Sequence, residues 1–247
     1  MIAEDFVLSD SERAEQRMAL LAQFRDMVPN CQDNLTFHQN EPGIVLTTNV
    51  ADGFWIRDKN IKGVHIRCPL RSAFNAIGGL DTSELLPDLQ YAHYFNASDF
   101  CDFLDDSEDA HAPILIEMQS YYDYLSAYYN EATGKEVGQT LVRYTSPSGS
   151  SVEPSWHPDM VDITLAAPVH GKGAVYAAGV MNEDQIENLC EKNIIPDDIE
   201  VCTPQAGDIL LFKGRNQGAR PVTQCLIHKS SDCSERASLL ISNECAA

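Results

Sequence analysis

The segment Ser155-Trp156-His157-Pro158-Asp159 sets an imidazole and a carboxylate two residues apart. In extended backbone, side chains at i and i+2 leave the same side of the strand. His157 and Asp159 therefore converge from one strand end, one with a ring nitrogen and the other with a carboxylate oxygen. A third donor is available in His228, within Leu226-Ile227-His228-Lys229-Ser230. Two histidines and one carboxylate can cap one face of a metal ion and leave the other positions open. That set suits non-haem Fe(II) chemistry with O₂. Alone, the H-x-D pair is a weak signal, because a hydrogen-bonded surface pair has the same spacing.

Arg236 lies eight residues after His228, in Ser234-Glu235-Arg236-Ala237-Ser238-Leu239-Leu240-Ile241. It opens an apolar strand, where an unpaired guanidinium is costly. It requires a carboxylate partner, which arginine grips through two parallel hydrogen bonds. That partner is either a structural Asp or Glu, or the far carboxylate of a 2-oxo acid whose near end chelates the metal.

With these residues in place, the chain resembles the Fe(II)- and 2-oxoglutarate-dependent dioxygenases of the double-stranded β-helix fold. More narrowly, it is similar to an uncharacterised bacterial family. The matching segments are Trp156-His157-Pro158-Asp159-Met160-Val161, Gly171-Lys172-Gly173-Ala174, Gly207-Asp208-Ile209-Leu210-Leu211-Phe212-Lys213-Gly214 and His228-Lys229-Ser230-Ser231. Lys229 and Ala174 stand where that family carries Arg and Thr. The resemblance spans Leu141 to Ser242. It implies that His157, Asp159 and His228 hold Fe(II), that Arg236 anchors 2-oxoglutarate, and that O₂ is consumed in hydroxylating a small molecule, amino acid or peptide. A carboxylate at Asp159 favours hydroxylation over halogenation, since related halogenases replace it with a small residue.

Other residues extend or compete with this set. Arg143 and Tyr144 lie on a strand just before the motif and are candidates for contacting cosubstrate or substrate. Lys213 either reaches the pocket or caps a strand in solvent. Trp156 either walls the metal site or belongs to the core. His170, eleven residues beyond Asp159, offers a three-histidine, cupin-like alternative that does not use 2-oxoglutarate. Arg57, Arg67 and Arg71 are candidates for a substrate acid or for surface pairing. A non-catalytic jelly-roll module that binds a ligand or a protein partner is the competing class. No G-x-G-x-x-G, Walker or G-x-S-x-G motif occurs.

The elements that must position these residues read as a mixed α+β chain. The expected core is a jelly-roll, cupin-like double-stranded β-helix over 137–247, with supporting N-terminal helices and short strands over 1–136, all in a single domain. Ser9-x-x-Glu12 is a capping-box pattern opening an amphipathic segment that stops before Pro29. Strands are expected at Ile44–Thr48, Phe54–Arg57 and Val64–Arg67. Turn or helix starts are expected at Asp81 and Ser98. After Pro113, Leu115, Met118, Tyr122, Leu125 and Tyr129 recur at helical steps as far as Gly134, a stripe suited to packing on a sheet. Beyond it, strands are expected at Val137–Tyr144, Met160–Ala166, Ala174–Ala178, Asp208–Phe212, Gln224–His228 and Ala237–Ser242. A short helix, Asn182–Lys192, interrupts them.

Composition excludes some partners. The chain has 247 residues, with 17 Lys and Arg against 37 Asp and Glu, a formal net charge of −20. Double-stranded nucleic acid needs a basic surface and is not an expected partner. An anionic membrane is disfavoured for the same reason. No apolar run approaches the roughly 20 residues of a membrane span. The N-terminus lacks the pattern of a signal peptide, so a cytoplasmic location is expected. The eight cysteines form no C-x-x-C pair and are expected to be reduced, with most serving as core residues.

Overall fold

The structure is a computed structural model. It describes residues 43–48, 50–67, 92–96, 112–145, 154–231 and 236–243. The elements in chain order are β1 (Ile44–Thr47), a 3₁₀ segment (Val50–Arg57), β2 (Gly63–Ile66), β3 (Ala92–Asn96), α1 (Ala112–Thr133), β4 (Gln139–Thr145) and β5 (Ile163–His170). There follow β6 (Val175–Ala178), α2 (Glu183–Lys192), β7 (Glu200–Cys202), β8 (Ile209–Lys213), a 3₁₀ turn (Val222–Gln224), β9 (His228–Lys229) and β10 (Arg236–Ser242). The expected starts at Ser9, Asp81 and Ser98 lie outside the described residues.

One sheet has seven strands in the order β1-β2-β8-β5-β10-β4-β3, and the other has three in the order β7-β6-β9. β1 and β2 run parallel, and the remaining neighbours run antiparallel. The period-2 alternation of β8 explains how the layers stack. Ile209 and Leu211 pack with Leu125 and Tyr129 of α1. Leu210 and Phe212 point the other way and pack with Tyr176 of β6 and with Leu226. Register carries this alternation to β5, where Leu165 lies opposite Leu211 and Ala166 opposite Leu210. α2 covers the outer face of the small sheet, with Ile186 and Leu189 against Trp156, Ala177 and Ile227. The fold is thus mixed α+β, as expected. Among the described residues the pairings make two separate sheets, not one closed barrel.

The helices end where their sequences say they must. α1 stops at Gly134, whose φ of 72° suits glycine. Arg57 covers the last carbonyls, donating to Ala132 O at 2.8 Å and Glu131 O at 2.5 Å. Arg57 therefore caps the helix. α2 opens with a capping box between Asn182 and Gln185. Leu125, Leu165 and Leu211 are fully buried, each stabilising the fold by roughly 1.5–3 kcal/mol.

Three strand expectations are corrected. Phe54–Arg57 lies in a 3₁₀ segment. Its inward residues, Gly53 and Ile56, are three apart, which fits a threefold turn and not an alternating strand. Gln224–His228 is strand only from His228, because Val222–Gln224 is a 3₁₀ turn. Met160–Val161 belongs to a turn, and β5 begins at Ile163. β3 and β7 were not anticipated.

Candidate metal centre

Pro158 separates the two donors of the H-x-D segment and has no N–H to divert the chain into a helix. His157 is fixed instead by an antiparallel bridge to His228. Each residue donates its N–H to the other's carbonyl, at 2.8 and 3.0 Å. The two rings are 4.6 Å apart between centroids. Asp159 Oδ1 lies 3.3 Å from His228 Nε2 and 4.0 Å from His157 Nε2. One donor atom from each of the three residues lies within 4.8 Å of the others.

The surroundings orient each donor. His157 Nδ1 is 2.8 Å from Ser155 O. Its proton sits there, which leaves the Nε2 lone pair for a ligand. Thr164 Oγ1 donates to Asp159 Oδ2 at 2.6 Å, leaving Oδ1 on the histidine side. Phe212 packs on the His228 ring at 4.8 Å between centroids. His228 is buried, and its Nδ1 has no hydrogen-bond partner among the described residues. Its Nε2 and Asp159 Oδ1 share one proton at most, and a cation between them satisfies both. Two imidazoles and one carboxylate therefore fit a first-row divalent metal, and among the described residues no fourth donor joins them, which is the protein donor count of a catalytic site.

Electrostatics point the same way. Burial works against the Asp159 charge. The neighbouring His228, hydrogen bonds from His228 and Thr164, and His157 outweigh it and hold the carboxyl down to about 2. The ligand is thus ionised at neutral pH, as metal binding requires.

The remaining candidates are placed as follows. Lys213 is buried on β8. It shares the helix-side face with Ile209 and Leu211, whereas Phe212 faces the site. Its Nζ donates to Asp58 O at 2.5 Å. Burial first, then Arg220, pushes its amine down to about 8. Trp156 is a core residue, 3% exposed, with Nε1 donating to Asn193 Oδ1 at 2.8 Å. Lys229 Nζ stands over the Trp156 ring, 5.3 Å from its centroid, and so turns from the donors. In the backbone, Arg143 pairs with Ser238, Tyr144 with Ala237 and Arg236 with Thr145. His170 also pairs with Ala237. The side chains of Arg143, Tyr144, His170 and Arg236 lie outside the described residues. Cys190, Cys202 and Cys225 are free thiols.

The sequence reading missed Thr164 and the role of Phe212. A signal existed for Thr164: a lone hydroxyl alternating with the apolar residues of a strand, five residues after a ligand.

A scan of family models and a search of curated proteins give no match. Among solved structures, the chain is similar to AviO1 from Streptomyces viridochromogenes Tue57, at 13% identity over 81% of this chain and 97% of that one, TM-score 0.46. It is similar to the non-heme alpha-ketoglutarate-dependent carbocyclase SnoK from nogalamycin biosynthesis, at 12% identity over 73% and 78%, TM-score 0.42. It is also similar to a dioxygenase for auxin oxidation in rice, at 12% identity over 82% of both chains, TM-score 0.42. With each TM-score below 0.5, the chemical assignment rests on the donor atoms themselves.

Proposed function

We propose that this chain is an Fe(II)- and 2-oxoglutarate-dependent dioxygenase that hydroxylates a small molecule, an amino acid or a peptide. One observation carries the reading: His157, Asp159 and His228 present donor atoms within 4.8 Å of one another. Bound there, iron(II) would activate O₂, coupling the oxidative decarboxylation of 2-oxoglutarate to substrate oxidation. The chain's own residues supply the positioning. Ser155 O fixes the His157 tautomer, Thr164 selects the Asp159 oxygen that faces the metal, and Phe212 restrains the His228 ring. In this reading Arg236 grips the far carboxylate of 2-oxoglutarate, and Arg143 and Tyr144 stand near cosubstrate or substrate. The two facing sheets belong to a double-stranded β-helix within a single domain, with residues 137–247 as its core and 1–136 elaborating it. The narrower bacterial family with the Gly-Asp-x-x-Leu-x-Lys-Gly pattern belongs to the same proposal, as does a cytoplasmic location. No helix among the described residues is long and apolar enough to cross a membrane.

The test is an anaerobic titration of the metal-free protein with Fe(II) and then 2-oxoglutarate, monitoring the weak metal-to-ligand absorption band. The band is expected in the wild type, absent in His157→Ala and weakened in Arg236→Ala. Succinate release over a metabolite panel then identifies the substrate. Metal binding without the band refutes 2-oxoglutarate as cosubstrate. Failure to bind any divalent metal favours the non-catalytic module.

A further inference from the structure

The turn that carries Asp159 is held from behind by the loop after β8. Four consecutive N–H groups of that loop take the four consecutive carbonyls of the turn. Gly214 N donates to Asp162 O at 3.0 Å, Arg215 N to Asp159 O at 2.7 Å, Asn216 N to Val161 O at 3.1 Å and Gln217 N to Met160 O at 2.6 Å. To make these bonds, Asn216 and Gln217 adopt φ of 48° and 55°. Gln seldom enters that left-handed region, and a strained backbone persists only where its surroundings over-determine it. Gly214 is required as well: a Cβ there would stand 2.5 Å from Asp159 O and closer still to Val161 O.

One side chain locks the two segments together. Arg220 donates through Nη1 to Asp162 O and Gly214 O, and through Nη2 to Asp162 Oδ1. The other Asp162 oxygen meets Lys135 Nζ at 2.5 Å. Asp162 is 6% exposed. A guanidinium fork suits this task, because one planar group reaches a carbonyl on each segment and a carboxylate. Without Arg220, the two segments would keep their four backbone bonds but lose the only charged side chain among the described residues that ties a carbonyl of the loop to the carboxylate of the turn.

We propose that Arg220, acting through Asp162 and the 214–217 loop, is a positioning residue of the metal centre. It fixes the backbone from which Asp159 presents its carboxylate and touches none of the three donors. The inference rests on the metal reading of His157, Asp159 and His228. It adds that ligand geometry is set by a clasp on the far side of the turn.

The test compares Co(II) binding to metal-free wild type, Arg220→Met, Arg220→Lys and Leu125→Ala, using calorimetry and the Co(II) ligand-field spectrum. Leu125 is fully buried in the helix layer and is not one of the clasp residues, so its variant lowers the melting temperature while leaving Arg220, Asp162 and the 214–217 loop in place. Arg220→Met is expected to weaken Co(II) binding by about 10- to 100-fold, the range for residues that orient a ligand, and to alter the spectrum. Arg220→Lys keeps a charge but loses the fork and is expected to fall between, at about 3- to 10-fold. Leu125→Ala is expected to melt earlier yet bind within twofold of wild type. Arg220→Met with wild-type affinity and spectrum overturns the proposal, as does an equal loss in Leu125→Ala. Should Arg220→Met not fold, Arg220→Lys carries the test, and an unchanged affinity there overturns it. If the wild type binds no Co(II), the metal reading falls and the proposal falls with it. Wild-type binding with indifferent Arg220 variants refutes the clasp alone.

Discussion

Replacing Thr164 with valine removes one hydroxyl and little else. Thr164 is 2% exposed on β5, and its Oγ1 donates to Asp159 Oδ2 at 2.6 Å. Valine has nearly the same shape, so no cavity forms and the strand keeps its β-branched residue. The lost bond is charge-assisted, a class that contributes about 1.5–3 kcal/mol. Part of its effect is on the carboxyl pKa, now about 2 with Thr164 among its causes. Even at an ordinary carboxylate value near 4, Asp159 stays ionised at pH 7. The charge of the site is therefore unchanged, and what is lost is orientation. With Oδ2 released, the carboxylate can rotate, and Oδ1 no longer faces His228 Nε2 at 3.3 Å by default. Partners that orient a ligand contribute about 10- to 100-fold in metal affinity, equivalent to about 1.4–2.7 kcal/mol. The assay is a competition titration of metal-free protein with Mn(II) against a fluorescent chelator, with circular-dichroism melts run in parallel. A double-mutant cycle sharpens it: in an Asp159→Ala background, Thr164→Val should change nothing further. An affinity within twofold of wild type in a folded Thr164→Val protein would falsify the orientation argument. So would an equal loss in both backgrounds.

Two further outcomes concern stability. The Lys213 amine, with its pKa near 8 in the fold against about 10.4 unfolded, leaves the unfolded chain with the extra proton between those values, so stability rises with pH across that window. Urea melts from pH 7.5 to 10 should show this rise in wild type and not in Lys213→Met; identical slopes would remove burial as the cause. Asp208 Oδ2 accepts from Gln205 N at 2.8 Å and faces His65 Nε2 at 3.1 Å, while His65 Nδ1 meets the Tyr176 hydroxyl at 2.8 Å. Asp208→Ala leaves Gln205 N and His65 Nε2 without their acceptor and should cost roughly 1–3 kcal/mol in denaturant unfolding; a neutral result would mean that the network relaxes freely.

The sequence alone determined what depends on neighbours along the chain. The H-x-D spacing named His157 and Asp159 as a pair, Gly134 stopped α1, and Asn182 with Gln185 capped α2. Residue chemistry named the donor set, and His228 was legible as the third member from its motif. The tertiary structure decided what depends on partners far away in sequence. Phe54–Arg57 became a 3₁₀ segment, its inward residues packed on the helix layer, with Arg57 covering the carbonyls of α1. Phe212 came to lie on the His228 ring, while Lys213 next to it turned its Nζ to Asp58 O. Phe212 and the Gly214–Gln217 clasp were hidden because their partners, His228 and the 159–162 turn, become neighbours only when β8 pairs with β5 and the sheets stack. Local backbone geometry repeats every two or 3.6 residues and can be read along a chain. Which face meets which, and which loop closes on which turn, is set by long-range packing that has no period.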